Sequence, residues 1–341
     1  MEKGNNDKYL KRIGNLKLID YIGSGGQTMG VLKGLIKLRN ISTNSYEEIP
    51  CVAKSFALKQ FRDKDFTKMY EREKEIGMKF SHPNLIKILG EIKSKTTTYL
   101  IMEYAYGGDL KSFLEYYKYN ITDEIIKIFL QQILNGIFHL HSNNIMHRDI
   151  KLENVLLHFY DQDIFYIKDN KGKLRIAYDK QDYAKCQLKI CDFGFSKDFS
   201  NTSPIISSNL HTVLGTQQYM SKEIDTGDYD ETCDFWALGI LVLMLLGIHT
   251  DENIKDMSVI EINKGIKISL ELRQVLDFLL KNDSCERESC KNLFELEFFI
   301  KSSLTMVNYE DLTDCKERDS LFQIDLKNHT KYKEIFNSIK K

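Results

Sequence analysis

Residues 147–154 read HRDIKLEN, a run of basic, acidic and amide side chains set between two apolar stretches. The segment IFHLHSNNIM precedes this run, and NVLL overlaps its end. A cluster of charges is usually a solvated surface loop, because burying unpaired charges is costly. The apolar flanks instead indicate that the protein core holds this cluster in place. The sequence therefore predicts a fixed polar site at residues 147–154.

The overall composition excludes several classes of protein. The 341 residues include 48 Lys and Arg against 49 Asp and Glu, for a net charge of −1. This balance gives no electrostatic footprint for nucleic acid or for a membrane surface. The seven cysteines are scattered without a close CxxC pair, which argues against a disulfide framework and a zinc site. We expect a reducing, cytoplasmic compartment and no nucleic-acid partner.

Neither the N-terminus nor the most apolar segment indicates membrane targeting. The N-terminal stretch MEKGNNDKYLKRIG has no apolar core of a signal peptide. The longest apolar run, FWALGILVLMLLGI at residues 235–248, is shorter than the roughly 20 residues that a membrane span needs. We therefore expect a buried helix there and no membrane span.

The chain changes character after about one third of its length. The β-branched segments NLKLIDYIG, GVLKGLIKL, IPCVAKSFA and TTYLIMEY predict strands, and FTKMYEREKEIGMKF predicts one helix among them. Four helices are predicted later, at LKSFLEYYK, DEIIKIFLQQILNGIFHLHS, FWALGILVLMLLG and LELRQVLDFLLK. The expected fold class is α+β, with a strand-rich front, a helix-rich back and AYGGD at residues 105–109 as the joint.

Three stretches look irregular. Residues 158–187 contain two β-like runs around DNKG, which predicts a hairpin. Residues 195–215 are rich in Ser, Thr and Asn, and residues 301–341 are polar. We expect the hairpin to be a solvated loop and the last stretch to be a solvated tail.

Six short motifs are individually weak but informative in their order. They are GSGG at 23–26, VAK at 52–54, EREKE at 71–75, HRDIKLEN, CDFG at 191–194 and GTQQYM at 215–220. Alone, each has a bland explanation, such as a flexible turn, a common tetrapeptide or a solvated helix face. In this order they form the protein-kinase set. The chain resembles a eukaryotic Ser/Thr protein kinase, and HRDIKLENVLL, DFGFSK and EYAYGGDL resemble the autophagy-initiating and calmodulin-dependent branches.

This resemblance implies a bilobal fold and a phosphotransferase activity. It covers residues 16–300, with an N-lobe at about 16–104, a C-lobe at about 105–300 and a polar tail at 301–341. The expected reaction uses ATP and Mg²⁺ to phosphorylate Ser or Thr hydroxyls of a protein substrate. The expected partners are that substrate and an upstream kinase.

The resemblance assigns roles within HRDIKLEN and CDFG. Asp149 would accept the proton of the substrate hydroxyl, and Lys151 would reach the transferred phosphate. Asn154 and Asp192 offer hard oxygen ligands that suit Mg²⁺. Arg148 would receive a phosphate from the activation loop. The polar run is thus expected to combine base, phosphate clamp, metal ligand and switch.

A second set of residues would bind ATP. Its members are Ile22, Gly23, Gly25, Val31, Lys54, Glu73, Glu103, Ala105 and Leu156. Lys54 would grip the α- and β-phosphates and pair with a helix glutamate, for which Glu71, Glu73 and Glu75 compete. Counting back from HPN, as in the family, selects Glu73. Asp109 would meet the ribose or the substrate.

Control is expected in residues 195–215, which hold seven Ser and Thr residues. Solubility alone explains most of them. Thr212 stands three residues before Gly215, a place that resembles the phosphorylated Thr of the autophagy-type kinases. We expect Thr212 to be the regulatory site, with Ser203 and Ser208 as alternatives.

The sequence departs from the family pattern at several positions. The third glycine of the Gly-rich loop would fall at Thr28, or at Met29 if one residue is inserted, which weakens the expected grip on ATP. Val52 stands in place of the usual Ala and would narrow the adenine pocket. SKE at 221–223 replaces Ala-Pro-Glu, although Glu223 keeps an expected ion-pair partner in Arg287.

Two alternatives to an active kinase remain at this stage, a pseudokinase scaffold and a nucleotide-independent interaction protein. A scaffold would be free to lose the residues of the reaction. All of them are present: Lys54, Glu73, Asp149, Asn154 and Asp192. The sequence therefore favours an active enzyme.

Overall fold

The strand-rich N-terminal region and the helical remainder match the expected α+β class. The computed structural model describes residues 9–24, 28–39, 45–117, 121–159, 166–168, 174–200, 217–226, 229–248, 268–287, 292–293, 296 and 298. The predicted tail at 301–341, the loop residues 201–216 and Gly25 lie outside the described residues.

The N-terminal region is one six-stranded antiparallel sheet. Its strands are β1 Lys11–Ile13, β2 Leu16–Gly23, β3 Gly30–Arg39, β4 Tyr46–Ala57, β5 Ile88–Lys93 and β6 Thr97–Glu103. They lie in the order β1-β2-β3-β4-β6-β5. The sequence did not predict β1 or β5. β1 is only three residues long, and β5 has no buried face along most of its length, so neither shows the alternation that marks a half-buried strand.

Alternation along β4 gives the sheet a core face and a cleft face. Cys51 and Ala53 are fully buried in a small apolar cluster on one side. Val52 and Lys54 point to the opposite side, because successive side chains of a strand alternate. The sheet thus places Lys54 on the surface that faces the rest of the molecule, as the sequence predicted for Val52 and Lys54.

Helix α1, Lys64–Lys79, packs on this sheet. Asp63 caps its N-terminus by accepting hydrogen bonds from the N–H groups of Asp65 and Phe66, so the helix begins two residues earlier than its apolar period suggests. A Cβ on Gly77 would lie 2.4 Å from Cδ1 of Ile88. This glycine therefore lets α1 approach the sheet more closely than any other residue would allow.

The rest of the chain is mainly helical. The helices are α2 Leu110–Tyr117, α3 Asp123–Ser142, α4 Lys222–Thr226, α5 Cys233–Leu245 and α6 Leu270–Leu279. The main apolar core surrounds α3 and α5, and nearly every residue of α5 is buried, as expected for its apolar run. Within the described ranges, no helix combines the length and apolarity that crossing a bilayer requires.

A short ribbon lies between the two regions. Strand β8, Val155–His158, pairs antiparallel with β11, Gln187–Ile190. Beside it, β7, Ile145–Met146, pairs with β12, Lys197–Asp198. The ribbon contacts the joint, because the N–H of Gly107 donates to the carbonyl of Leu157 at 2.7 Å.

The insertion between β8 and β11 forms the predicted hairpin, but it is not a solvated loop. Strands β9, Tyr166–Lys168, and β10, Leu174–Ile176, pair antiparallel. The expectation of a solvated loop is wrong for the described residues, since several of them are buried: Phe159, Ala177, Tyr178, Tyr183 and Cys186. The rings of Tyr178 and Tyr183 pack against Phe113 of α2, and Tyr183 also packs against Phe129 of α3, a tertiary contact that local sequence does not reveal.

An ion pair holds α4 to the segment after α6. Arg287 donates to both carboxylate oxygens of Glu223, with Nη2–Oε2 at 2.9 Å, and its guanidinium lies over the ring of Trp236. The Arg287 side chain is fully buried. Burial raises the pKa of Glu223, but the hydrogen bonds from Arg287 outweigh it and leave the pKa below its usual value. The pair expected from SKE and NDSCER is therefore present.

We expect Glu223→Ala to lower the thermal melting temperature, because removing one partner of a buried pair costs about 3–5 kcal/mol. The exposed Glu286, next to Arg287, provides the control Glu286→Ala, which should leave the melting temperature near that of the wild type. Equal melting temperatures for the two variants would show that the pair contributes little.

Candidate active site

A buried carboxylate fixes the loop that contains HRDIKLEN. Asp234, at the start of α5, accepts hydrogen bonds from the N–H groups of His147 and Arg148, each at 2.8 Å, and lies 2.9 Å from Nε2 of His141. Burial raises the pKa of Asp234, but these contacts outweigh it and keep the pKa below its usual value. Arg148 has a φ of 66°, a left-handed conformation that a non-glycine residue holds only under constraint.

Sequence reasoning missed Asp234. The available signal was its position, since it is the acidic residue immediately before the apolar run FWALGILVLMLLGI. A carboxylate attached to an otherwise buried helix must find donors, because an unpaired buried charge is costly. Those donors are the N–H groups of the loop.

The structure brings three predicted residues together around the carboxylate of Asp149. Nζ of Lys151 lies 2.7 Å from Oδ2 of Asp149, and Nδ2 of Asn154 donates to the same oxygen at 2.8 Å. Asn154 also donates to the backbone carbonyl of Asp149. Burial raises the pKa of Asp149, although the ammonium of Lys151 opposes that effect. The carboxylate is thus held in one orientation by two neighbours.

Asp192 faces this group from the end of β11. The N–H of Cys191 donates to the carbonyl of Asn154 at 2.9 Å, so the ribbon brings Asp192 and Asn154 to the same end. The φ of Asp192 is 69°, a second strained non-glycine conformation. Nζ of Lys54 lies 3.0 Å from its Oδ1. Partial burial raises the pKa of Asp192, but the charge of Lys54 outweighs it and leaves the pKa below its usual value.

Lys54 joins the sheet, helix α1 and the ribbon at a single ammonium. Its Nζ donates to Oε1 of Glu73 at 2.7 Å as well as to Asp192. Burial lowers the pKa of Lys54, but the two carboxylates outweigh it, so the pKa is raised and the ammonium stays protonated. The predicted choice of Glu73 is confirmed, since Glu71 pairs with Lys74 and Glu75 is exposed.

Three other residues of the predicted nucleotide set, Ile22, Gly23 and Val31, lie on β2 and β3. Gly23 pairs with Val31 across β2 and β3, and Val31 in turn pairs with Lys54. Ile22, beside Gly23, is exposed. These pairings place the end of β2, where the Gly-rich loop begins, two strands away from Lys54 at the same level of the sheet.

Three further residues of the predicted nucleotide set, Glu103, Ala105 and Leu156, lie in or beside the joint. The side chain of Glu103 is engaged by Lys189 at 3.0 Å and by the N–H of Lys87 at 2.7 Å, and its own N–H donates to the carbonyl of Lys87 at 3.0 Å. Ala105 is half-buried just beyond it. Leu156 is half-buried and bridges to Asp109, which places the predicted floor residue next to the joint.

Asn154 and Asp192 carry oxygen atoms of the kind that Mg²⁺ prefers as ligands. Among the described residues, no three His, Cys, Asp or Glu side chains converge in a way that could hold a metal. Mg²⁺ is commonly bound by one or two protein ligands together with substrate phosphates and water. The amide nitrogen of Asn154 donates hydrogen bonds to Asp149, so the amide oxygen of Asn154 is the atom that would bind the metal. Asp192 would contribute a carboxylate oxygen. These two residues fit a magnesium ion that arrives with a nucleotide.

Three cationic side chains cluster beside the catalytic loop. Arg148 donates to the carbonyl of Phe195 and to the hydroxyl of Tyr229, each at 2.6 Å. Burial, together with the charges of Arg148 and Arg72, lowers the pKa of Lys197. Burial, together with the charge of Arg148, also lowers the pKa of Arg72. Sequence reasoning found Arg148 but missed Arg72 and Lys197, whose proximity arises only in the fold. Thr212 lies outside the described residues.

Similarity to known proteins covers most of the chain. Residues 43–299 match the family described as "Protein kinase domain". The chain is 30% identical to Calcium-dependent protein kinase 5 of Plasmodium berghei, over 71% of this chain and 40% of that protein. It is 29% identical to the Aurora kinase of Saccharomyces cerevisiae, over 70% and 58% respectively. It is 27% identical to the mouse Serine/threonine-protein kinase ULK3, over 84% and 55%.

These matches span 40% to 58% of the length of those three relatives, so the likeness concerns one part of each of them. The matched segment of this chain contains the Lys54–Glu73 pair, the Asp149 group and Asp192. The fold, the arrangement of these residues and the family match agree, and the chain belongs to the protein kinase family.

Proposed function

We propose that the chain is an active, ATP-dependent protein serine/threonine kinase. One observation carries this proposal: Nζ of Lys54 contacts both Glu73 and Asp192, which come from distant parts of the sequence. A pseudokinase scaffold has no need for this convergence or for the group around Asp149. Lys151 next to Asp149 supports Ser/Thr specificity, as does the name of one relative.

In the proposed reaction, the hydroxyl of a Ser or Thr side chain attacks the γ-phosphorus of ATP. A bond forms from that oxygen to phosphorus while the bond to the β–γ bridging oxygen breaks, and ADP leaves. The hydroxyl proton goes to the carboxylate of Asp149. Lys151, bound to that carboxylate, is placed to contact the transferred phosphoryl group.

Positioning of ATP falls to the sheet and the joint. The Lys54 ammonium would bind the α- and β-phosphates, and Glu73 orients it. Asn154 and Asp192 would hold Mg²⁺, which neutralises phosphate charge in the transition state. The main chain at Glu103 and Ala105 would meet the adenine, with Leu156 below it.

We propose control by phosphorylation of Thr212. Arg72, Arg148 and Lys197 form a cluster in which like charges lie close together. A phosphate carries about −1.5 to −2 charges and three strong acceptor oxygens, so it would relieve this repulsion and bind the cluster. This binding would couple the state of the loop to Arg148 and therefore to the catalytic loop.

The proposed kinase domain comprises residues 16–300, with lobes at about 16–104 and 105–300 and a tail at 301–341. Its partners would be a protein substrate and an upstream kinase. The five described cysteines carry free thiols, which supports a reducing, cytoplasmic compartment.

ATP turnover tests the proposed activity. We expect purified wild-type protein with Mg²⁺ and a Ser-containing acceptor to form ADP and a phosphorylated product. We expect Asp149→Asn and Asp192→Ala to abolish this turnover while each variant remains folded. Asp149→Asn removes the proposed proton acceptor, and Asp192→Ala removes a proposed ligand of the metal, whose charge neutralisation contributes several kcal/mol to such transition states. Turnover by either variant near the wild-type rate would refute the assigned roles.

The pH profile tests the environment of Asp149. Burial raises the pKa of this carboxyl and Lys151 opposes that effect. Removing Lys151 removes the opposing charge and raises the pKa of Asp149 further, so more of this base is protonated at any given pH. Lys151→Ala should therefore shift the acid limb of kcat/KM to higher pH. Lys111→Ala provides the control, since Lys111 forms an exposed pair with Glu153. An acid limb at the same pH in all three proteins would contradict this account.

The activating phosphosite can be tested by substitution. We expect Thr212→Ala to lower kcat/KM several-fold, because the cationic cluster would then lack its phosphate. Ser203→Ala and Ser208→Ala serve as controls that retain Thr212, and intact-mass spectrometry reports the phosphate. Full activity of Thr212→Ala, or an active wild-type protein without phosphate, would rule out this switch.

A further inference from the structure

The insertion between β8 and β11 is longer than is needed to connect these two strands. His158, the last residue of β8, pairs directly with Gln187, the first residue of β11. Two adjacent antiparallel strand ends need only a turn of about two residues. The chain instead leaves the ribbon and returns through residues 159–186. The described part of this segment packs its aromatic side chains inward, so its role lies in what those side chains touch.

Those side chains form an aromatic cluster on α2. The ring of Phe113 meets Tyr178 and Tyr183 edge to face, at centroid distances of 5.6 and 5.5 Å. The hydroxyl of Tyr117 donates to the carbonyl of Tyr178 at 3.0 Å, and the hydroxyl of Tyr116 donates to Asp179 at 2.6 Å. Edge-to-face ring contacts and satisfied hydroxyls give Tyr178 a fixed place. The insertion is therefore attached to the helix that follows the joint.

From this place, Tyr178 reaches the joint itself. Its hydroxyl donates to the carbonyl of Gly107 at 2.7 Å, and both residues are buried. Burial, together with the charge of Asp109, raises the pKa of Tyr178, so the phenol remains a hydrogen-bond donor. The hydroxyl also lies 3.1 Å from the position that a Cβ on Gly108 would occupy.

The joint needs to be held in place because two of its five residues, Gly107 and Gly108, are glycines. Gly108 has a φ of 74°. Glycine adopts positive and negative φ values about equally readily, so the residue itself does not keep the joint in this conformation. The ribbon fixes one side of the joint, through hydrogen bonds from Gly107 N–H to Leu157 and from Leu157 N–H to Gly108. The phenol of Tyr178 fixes the carbonyl between them. Asp109 follows directly and caps α2 by accepting from the N–H of Ser112 at 2.7 Å.

We propose that Tyr178 is a positioning residue for the nucleotide, which it serves by holding the Gly107–Gly108 joint in the conformation that presents Ala105 and Asp109 to ATP. This inference rests on the proposed function, because its ligand is the ATP of that reaction. Tyr178 acts through the joint and touches no reacting group. The catalytic loop is fixed separately by Asp234, so Tyr178 governs nucleotide affinity rather than the chemical step.

The test is Tyr178→Phe, which removes only the hydroxyl. The apparent affinity for ADP scales with the fraction of molecules whose joint already has the binding conformation. If Tyr178→Phe lowers that fraction to between a fifth and a tenth, ADP binding should weaken about five- to tenfold. The Kd for ADP is measured by titration calorimetry. The KM for ATP should rise by a similar factor, while kcat at saturating ATP should stay near the wild-type value.

Tyr183→Phe is the matched control. It removes the same hydroxyl from a comparably buried tyrosine of the insertion, and that hydroxyl donates to Tyr178 O at 2.7 Å rather than to the joint. The carbonyl of Tyr178 keeps the hydroxyl of Tyr117 as a donor. ADP affinity should therefore remain at the wild-type value in Tyr183→Phe.

The outcomes distinguish failure of the positioning role from failure of the proposed kinase activity. Unchanged ADP affinity in Tyr178→Phe, an equal loss in Tyr183→Phe, or a fall in kcat at unchanged KM would overturn the positioning role. A wild-type protein that binds ADP without turning over ATP would overturn the kinase activity, while calorimetry would still decide the role of Tyr178. A wild-type protein that binds no ADP would overturn both.

Discussion

The arrangement of the site depends on a buried carboxylate that must find hydrogen-bond donors. Asp234 lies at the start of an apolar helix, where an unsatisfied charge would cost several kcal/mol. The HRDIKLEN loop provides two adjacent N–H groups, those of His147 and of Arg148, and Arg148 holds a left-handed conformation while it donates. This conformation costs about 1–3 kcal/mol, which the hydrogen bonds to a charged acceptor offset. Because these hydrogen bonds hold His147 and Arg148 in place, they also fix the backbone that leads into Asp149.

The second constraint is the ammonium of Lys54, which acts at the meeting point of three elements. Strand β4 supplies the ammonium, α1 supplies Glu73 and the end of the ribbon supplies Asp192. Each carboxylate keeps the ammonium protonated, and the ammonium in turn keeps Asp192 ionised. The helix, the sheet and the ribbon are therefore coupled through charges that also form the proposed phosphate and metal site.

The sequence predicted well where periodicity or motif order carried the information. Helix α3 begins and ends at the expected residues, and the choice of Glu73 over its two neighbours was correct. The predictions from the sequence failed where contacts between distant residues determine the structure. The insertion looked like a solvated loop because its aromatic residues lack a periodic pattern, and only the fold shows that Phe113 receives them. Arg72 and Lys197 were missed for the same reason, since residues distant in sequence form the cationic cluster.

The insertion between β8 and β11 also affects the order in which the molecule can assemble. Strands that a tight turn would join pair early, whereas strands separated by a long segment must wait for that segment to close. The entropy of closure grows slowly, by about 0.6 kcal/mol for each doubling of loop length. Burial of Phe159 alone, which contributes about 1.5–3 kcal/mol, can offset it. We therefore expect the ribbon that brings Asn154 and Asp192 together to form only after α2 and α3 have gathered the aromatic cluster, which would make the proposed active centre one of the last parts of the fold to be completed.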